Sequence, residues 1–287
     1  MNDQAETLRN MVEDQPYSIP KKTRVISIMS GKGGVGKTNF AIALAIAFAQ
    51  QGKKPIVIDV DMGLANVDII LNLNCQHTIK HLVEGICTLS EILYPGPEGI
   101  RIVPGASGSS NMADLSRAQY EHLSNEFTKL EQLGDILIFD TGTGIGNQAI
   151  RFATASDEAI CLALPEPPSI TDSYAMMKRL HREQFQGRLS FVLNMVENVV
   201  EARKVSSRFL EIPRDHLSRE IHYWGHILQD DHVSLAVKRQ LPFLLAYPKC
   251  HASICVQEIA YKILQGEMPP PRFPESGFFQ RLSRLFR

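Results

Sequence analysis

One nine-residue stretch carries the strongest chemical signal in this chain. Ser30-Gly31-Lys32-Gly33-Gly34-Val35-Gly36-Lys37-Thr38 holds Gly31, Gly36, Lys37 and Thr38 in the spacing GxxxxGK[ST]. Glycines let successive backbone N–H groups converge on phosphate oxygens, and a helix starting behind them adds its dipole. Lys37 is then placed to reach the β- and γ-phosphates of a nucleotide, and the Thr38 hydroxyl to ligate Mg²⁺. Asp140 closes the apolar run ILIFD. A single acid at the end of such a strand is the Walker B arrangement, which holds Mg²⁺ through water. Asp59 and Asp61 end another apolar run two residues apart, on one side of a strand. Two like charges so placed need a cation or water between them.

These groups need a frame that gathers them. Short apolar runs predict strands over 24–29, 55–60, 100–103, 135–139, 158–164, 189–193, 221–228 and 243–246. Helices are predicted over 36–51, 116–133, 170–181, 199–211, 233–239 and 252–264, with Thr171 and Asp172 as possible caps of the third. Nearly all-apolar strands alternating with helices mark a parallel sheet covered on both faces. The expected fold is α/β: a single doubly wound, mostly parallel sheet whose sites lie at the carboxyl ends of its strands. The chain divides into an N-terminal extension (1–23), a body (24–265), a Pro-rich linker (266–277) and a terminal segment (278–287).

With Lys32, the loop reads KGGVGKT, which resembles the deviant Walker A motif of the MinD/ParA (SIMIBI) P-loop ATPases. The resemblance implies binding of ATP and Mg²⁺ through residues 31–38, including Gly33, Gly34 and Val35, slow dimer-dependent hydrolysis, and a homodimer formed with ATP. Lys32 would cross that interface to the partner's nucleotide, a cation delivered only when two subunits meet. IDVDMGLANVD looks like the family's DxDxGxxNxD segment, in which Asp61 orients the attacking water and Asp59 supports the Mg²⁺ water shell. Asn66 and Asp68 match the same segment near the dimer interface. Residues 141–146 resemble a γ-phosphate-sensing switch, whose glycines permit an order–disorder change. Glu166, in a PEP-type loop, would contact nucleotide across the dimer. By the same resemblance Asn194 reads the adenine edge and Pro248 flanks the base, and the absence of NKxD favours ATP over GTP.

The two ends are of different character. Residues 3–9, DQAETLR, look like the segment by which the FlhG (FleN, YlxH) branch of the family stimulates an FlhF-like GTPase. Relatives in that branch also touch flagellar switch proteins and a flagellar transcription activator. At the other end Phe278, Phe279, Leu282, Leu285 and Phe286 fall on one helical face, with Arg281, Arg284 and Arg287 on the other. Such a helix lies in an anionic membrane interface rather than spanning it. It can equally dock on the body, and the two readings join if it docks in the monomer and releases with ATP. The expected place is the cytoplasm, peripheral on the inner face of the cell membrane.

Composition sets limits. The 287 residues carry 44% hydrophobic and 21% charged side chains, ordinary values for a chain with a real core. The net charge of −1 conceals an acidic head (Asp3, Glu6, Glu13 and Asp14 against Arg9) and the basic tail. A near-neutral body argues against nonspecific DNA binding, and so against a ParA-type partitioner. Residues 3–9 have no place in a division-positioning MinD. Five cysteines, none in CxxC, argue against a secreted disulfide framework. No cysteine lies within 140–146, which excludes an iron–sulfur reductase of the same superfamily.

Overall fold

The computed structural model describes residues 23–61, 66–105, 116–144, 146–216, 219–266 and 277–285. The 3–9 segment, nearly all of the Pro-rich linker, Ile145, Phe286 and Arg287 lie outside the described residues.

The chain alternates as expected. β1 (Arg24–Met29) leads into α1 (Lys37–Gln50), then β2 (Pro55–Asp59), α2 (Val67–Ile70) and α3 (Ile79–Val83). β3 (Tyr94–Pro95) and β4 (Arg101–Val103) follow, then α4 (Arg117–Thr128), α5 (Leu130–Leu133), β5 (Ile136–Asp140) and α6 (Asn147–Ala155). Next come β6 (Glu158–Ala163), α7 (Pro167–Arg182), β7 (Arg188–Val196), α8 (Val199–His216), β8 (His222–Leu228), α9 (Asp231–Lys238), α10 (Phe243–Ala246), α11 (His251–Gln265) and α12 (Phe278–Leu285).

The sheet has eight strands in the order β3-β4-β2-β5-β1-β6-β7-β8. All neighbours are parallel except β3 and β4. The central strands are buried end to end, which is why they read as unbroken apolar runs. α1 is apolar on nearly every side (FAIALAIAFA) because β-sheet and α11 enclose it. On the other side of the sheet, α7 and α8 cover β6 and β7, while α4, α6 and α12 share a core with β2 and β5. Away from the loops, Glu158 is fully buried. Arg24, Ser190 and Trp224 all donate to it, at 2.5, 2.7 and 2.6 Å. A buried carboxylate is tolerable only when its oxygens are satisfied in this way.

Several expectations change. Residues 243–246 are a helical turn, not a strand: Pro242 starts it, and Tyr247 N–H bonds to Phe243 O at 2.8 Å. The helix expected over 116–133 is two pieces, the first capped by Ser116, whose side chain accepts from Gln119 N–H. α7 begins at Pro167 rather than near 170, because proline is favoured in the first helical turn. Thr171 and Asp172 therefore lie inside it and cap nothing; the Thr171 hydroxyl bonds back to Pro167 O at 3.0 Å.

Candidate functional site

The phosphate-binding loop leaves the carboxyl end of β1, in the middle of the sheet. Gly36, at φ 89°, turns the chain into α1 and is its N-cap. An L side chain is strained at that φ, and a Cβ there would also sit 2.7 Å from the Asn194 amide nitrogen. Gly31 is required for a different reason: a Cβ would fall 2.4 Å from Asp172 Cβ on α7. Helix and loop are thus in direct contact. Lys32 is half-buried, and Gly33 and Gly34 are exposed on the loop's outer side, while Val35 is buried beneath it.

Register then does what sequence spacing does not. β2 and β5 pair so that Asp59 lies directly beside Asp140. Asp61 is beyond the end of β2, so the close acidic pair is 59 and 140 rather than 59 and 61. Both members of the pair are buried. Burial and the neighbouring Asp140 charge drive the Asp59 carboxyl well above its ordinary range, against the pull of three backbone N–H groups. One Asp59 oxygen accepts from Asp61 N–H at 2.9 Å, and the other from Asn66 and Val67 N–H at 3.0 and 3.4 Å. Asp59 therefore ties the backbone of Asp61 to that of Asn66 and Val67. Asp140 accepts from the Thr38 hydroxyl at 2.6 Å through one oxygen. Its other oxygen is buried with no hydrogen-bond partner among the described residues. Burial pushes Asp140 up to about 6, although Thr38 and Lys37 pull it down. Lys37 is buried too, and loss of water lowers its pKa while Asp140, Asp61 and Asp59 raise it.

The loop after β5 closes the site from the side. Gly144 N–H bonds to Ser30 O at 2.9 Å, and the Thr141 hydroxyl to Ile28 O at 2.9 Å. A Cβ on Gly142 would lie 3.6 Å from an Asp61 carboxylate oxygen. The phosphate loop, the segment after β2 and the segment after β5 therefore meet in one place. Asn194, two residues before the end of β7, braces the first of them: its amide donates to Val35 O at 2.7 Å, and its oxygen accepts from Met195 N–H at 3.0 Å. It lines a cavity of about 140 Å³ with Gly36, Asn39, Phe40, Met195 and Asp230. Pro248 lines a separate open cleft with His232, Tyr247, Lys249 and Cys250. The two residues expected to hold the base thus stand on different walls, which join at Asp231 and His232. Glu166 is exposed at the start of α7, and its side chain makes no cap bond.

A family model described as the CobQ/CobB/MinD/ParA nucleotide binding domain matches residues 26–243. The chain belongs to the MinD/ParA family of ATPases. Its most informative relatives are flagellar. The chain is 36% identical to the antiactivator FleN of Pseudomonas aeruginosa over 90% of this chain and 93% of that one. It is 32% identical to the flagellum site-determining protein YlxH of Helicobacter pylori over 98% of each chain. Its fold matches that of the septum site-determining protein MinD of Pyrococcus horikoshii complexed with Mg-ADP, with a TM-score of 0.69 and 21% identity over 85% of this chain and 96% of that one. The chain is thus a MinD/ParA ATPase of the FleN and YlxH branch.

The residues present fit Mg²⁺. Mg²⁺ takes hard oxygen ligands, and the unsatisfied Asp140 oxygen beside the Thr38 hydroxyl is an oxygen set of that kind. A bound Mg²⁺ would offset the charge of the Asp59–Asp140 pair and neutralise charge on the phosphates. Among the described residues no group of three or more His, Cys, Asp or Glu side chains forms another metal site. Local sequence does not mark α6, which starts directly after the Gly-rich segment 141–146, or Asp230, one of two adjacent acids. Only packing distinguishes that one: its side chain is 6% exposed.

The terminal helix is docked. Phe278, Phe279 and Leu282 are buried in the groove of Phe127, Phe139 and Phe152. Phe278 stacks on Phe139 with ring centroids 4.8 Å apart, and Phe279 meets Phe127 edge-on at 5.4 Å. Arg281 bonds Ala155 O at 2.8 Å and pairs with Asp157 at 3.0 Å. Among the described residues no helix is long and apolar enough to cross a membrane.

Proposed function

We propose that this ATPase is an ATP-gated, dimerising switch that associates with the membrane and regulates flagellar number or placement. In the dimer, Lys32 and Glu166 of one protomer reach the nucleotide of the other, and Asp61 orients the attacking water. Lys37 and the backbone of residues 31–38 hold the phosphates. Thr38, Asp59 and Asp140 serve the Mg²⁺ site, and Asn194 and Pro248 flank the adenine. Residues 3–9 stimulate an FlhF-like GTPase; flagellar switch proteins and a flagellar transcription activator are further partners. The protein works in the cytoplasm and on the inner face of the cell membrane.

The observation that carries this reading is one contact. Phe139, the residue before Asp140, stacks on Phe278 of the terminal helix. The strand that bears the nucleotide-side carboxylate therefore also holds the apolar tail. A shift of β5 or of the loop after it on ATP binding loosens the groove, and the freed helix turns its apolar face to lipid. One short helix binds weakly, so two in a dimer bind by avidity. The likeness to an antiactivator and to a flagellum site-determining protein supports the flagellar role. Deleting 278–287 should end ATP-dependent sedimentation with anionic liposomes while nucleotide binding stays intact. Unchanged sedimentation would refute the membrane role.

A further inference from the structure

Asp230 follows β8, and its carboxylate holds the starts of two helices. One oxygen accepts from His232 N–H at 3.1 Å and meets His232 Nδ1 at 2.7 Å. The other accepts from Ala252 N–H at 3.2 Å, in the first turn of α11. That turn has no side-chain cap of its own at Cys250, so Asp230 caps it from a distance of 22 residues. Burial raises the pKa of Asp230, but the bonds from His232, Ala252 and Cys250 outweigh it and hold the carboxyl at about 2.

The segment held between these bonds is Tyr247-Pro248-Lys249-Cys250. On its N-terminal side, the His232 ring lies on the Tyr247 ring at 4.6 Å. On its C-terminal side, Ala252 N–H bonds to Asp230 itself. Asp230 meanwhile lines the cavity that contains Asn194 and Gly36. One carboxylate thus joins the wall bearing Pro248 to the wall bearing Asn194.

We infer that Asp230 is a positioning residue for the nucleotide base: its carboxylate clasps the 247–250 segment to the loop after β8 that lines the cavity of Asn194. This inference rests on the reading of that cavity as the base pocket. A flexible wall would cost base affinity and leave the phosphate loop, to which Asp230 makes no hydrogen bond among the described residues, as it is.

The test uses full-length protein and two probes in Mg²⁺, ATP and inorganic tripolyphosphate, titrated by calorimetry. Asp230→Ala should weaken ATP binding by about tenfold, the size of a lost cap, and leave tripolyphosphate binding unchanged. In hydrolysis, KM for ATP should rise with kcat retained at saturation. Asp230→Asn, which keeps an acceptor for His232 N–H or for Ala252 N–H but not for both, should recover only part of the loss. His232→Ala breaks only the Tyr247 side and should give a smaller, base-only loss; it also serves if Asp230→Ala does not fold. Equal losses for both probes, or no loss for ATP, overturn the positioning role. Should the unmutated protein bind ATP no tighter than tripolyphosphate, the base-pocket reading itself falls, and the inference with it.

Discussion

Asp140 has one oxygen on Thr38 and one that is buried and unsatisfied. A carboxylate so placed is unfavourable without a cation, because charge is poorly solvated in the interior. Its pKa in the folded protein is pushed from 3.8 to about 6. The native state therefore binds a proton that the unfolded chain releases, and the nucleotide-free protein loses stability as pH rises from about 4 through about 6. Asp140→Asn removes that cost. Without ligand the variant should gain on the order of 2–3 kcal/mol over the parent at pH 7.5, and little below pH 4. Denaturant melts of both proteins at the two pH values read this; an equal difference at both would dismiss the buried charge as its source. With Mg²⁺ and nucleotide the sign should reverse, since the carboxylate is then useful. Asp140 was legible in ILIFD, as were Lys37 and Thr38 in their motif, because these roles follow from local spacing. Its partnership with Asp59 was not, because strand register is a tertiary property and the nearer acid, Asp61, looked like the natural mate.

At the scale of elements, the terminal helix shows where patterning stops. Its amphipathic face was plain in Phe278, Phe279, Leu282 and Leu285, but one apolar face suits a lipid surface or a protein groove equally well. The groove is built from Phe127, Phe139 and Phe152, which lie on three elements far apart in sequence, so no local window reports it. The same limit hid the true state of 243–246: β8 is the last strand on that side of the sheet, and 243–246 forms a helical turn instead of adding to its edge. Docking buries two Phe rings, each worth about 1.5–3 kcal/mol against exposure. Arg281 adds a largely shielded pair with Asp157, the latter 8% exposed. On the proposed reading this is a latch with a body-side half that can be changed without touching the tail. Asp157→Asn removes the charge but keeps an acceptor for Val25 N–H, which bonds it at 3.0 Å. The variant should raise liposome sedimentation in ADP several-fold while that in ATP stays level. A parent-like ADP value would mean that Arg281 contributes nothing to holding the helix.

The whole molecule places its chemistry at one end of a sheet and its tail on one face, and β5 connects them. Asp140 ends that strand beside Asp59, Phe139 holds Phe278, and the loop beyond bonds to the phosphate loop through Gly144 and Ser30. On the proposed reading a ligand at the carboxyl ends biases the groove by moving β5 or the segments flanking it, through its differential affinity for two arrangements. On the same reading hydrolysis resets the switch, so blocking hydrolysis should hold every later step in its ATP state. Asp61 is the residue to change, because it lies beyond the end of β2, beside Gly142. Asp61→Ala should bind ATP, elute as a dimer on size-exclusion chromatography, and sediment with anionic liposomes for as long as ATP remains. The parent should fall back to monomer and leave the liposomes as ATP is consumed. Removal of 278–287 from the Asp61→Ala protein separates the steps: the dimer should persist and the sedimentation vanish. A variant that stays monomeric in ATP would remove Asp61 from the water-orienting role, and a dimer that ignores liposomes would uncouple the tail from the nucleotide.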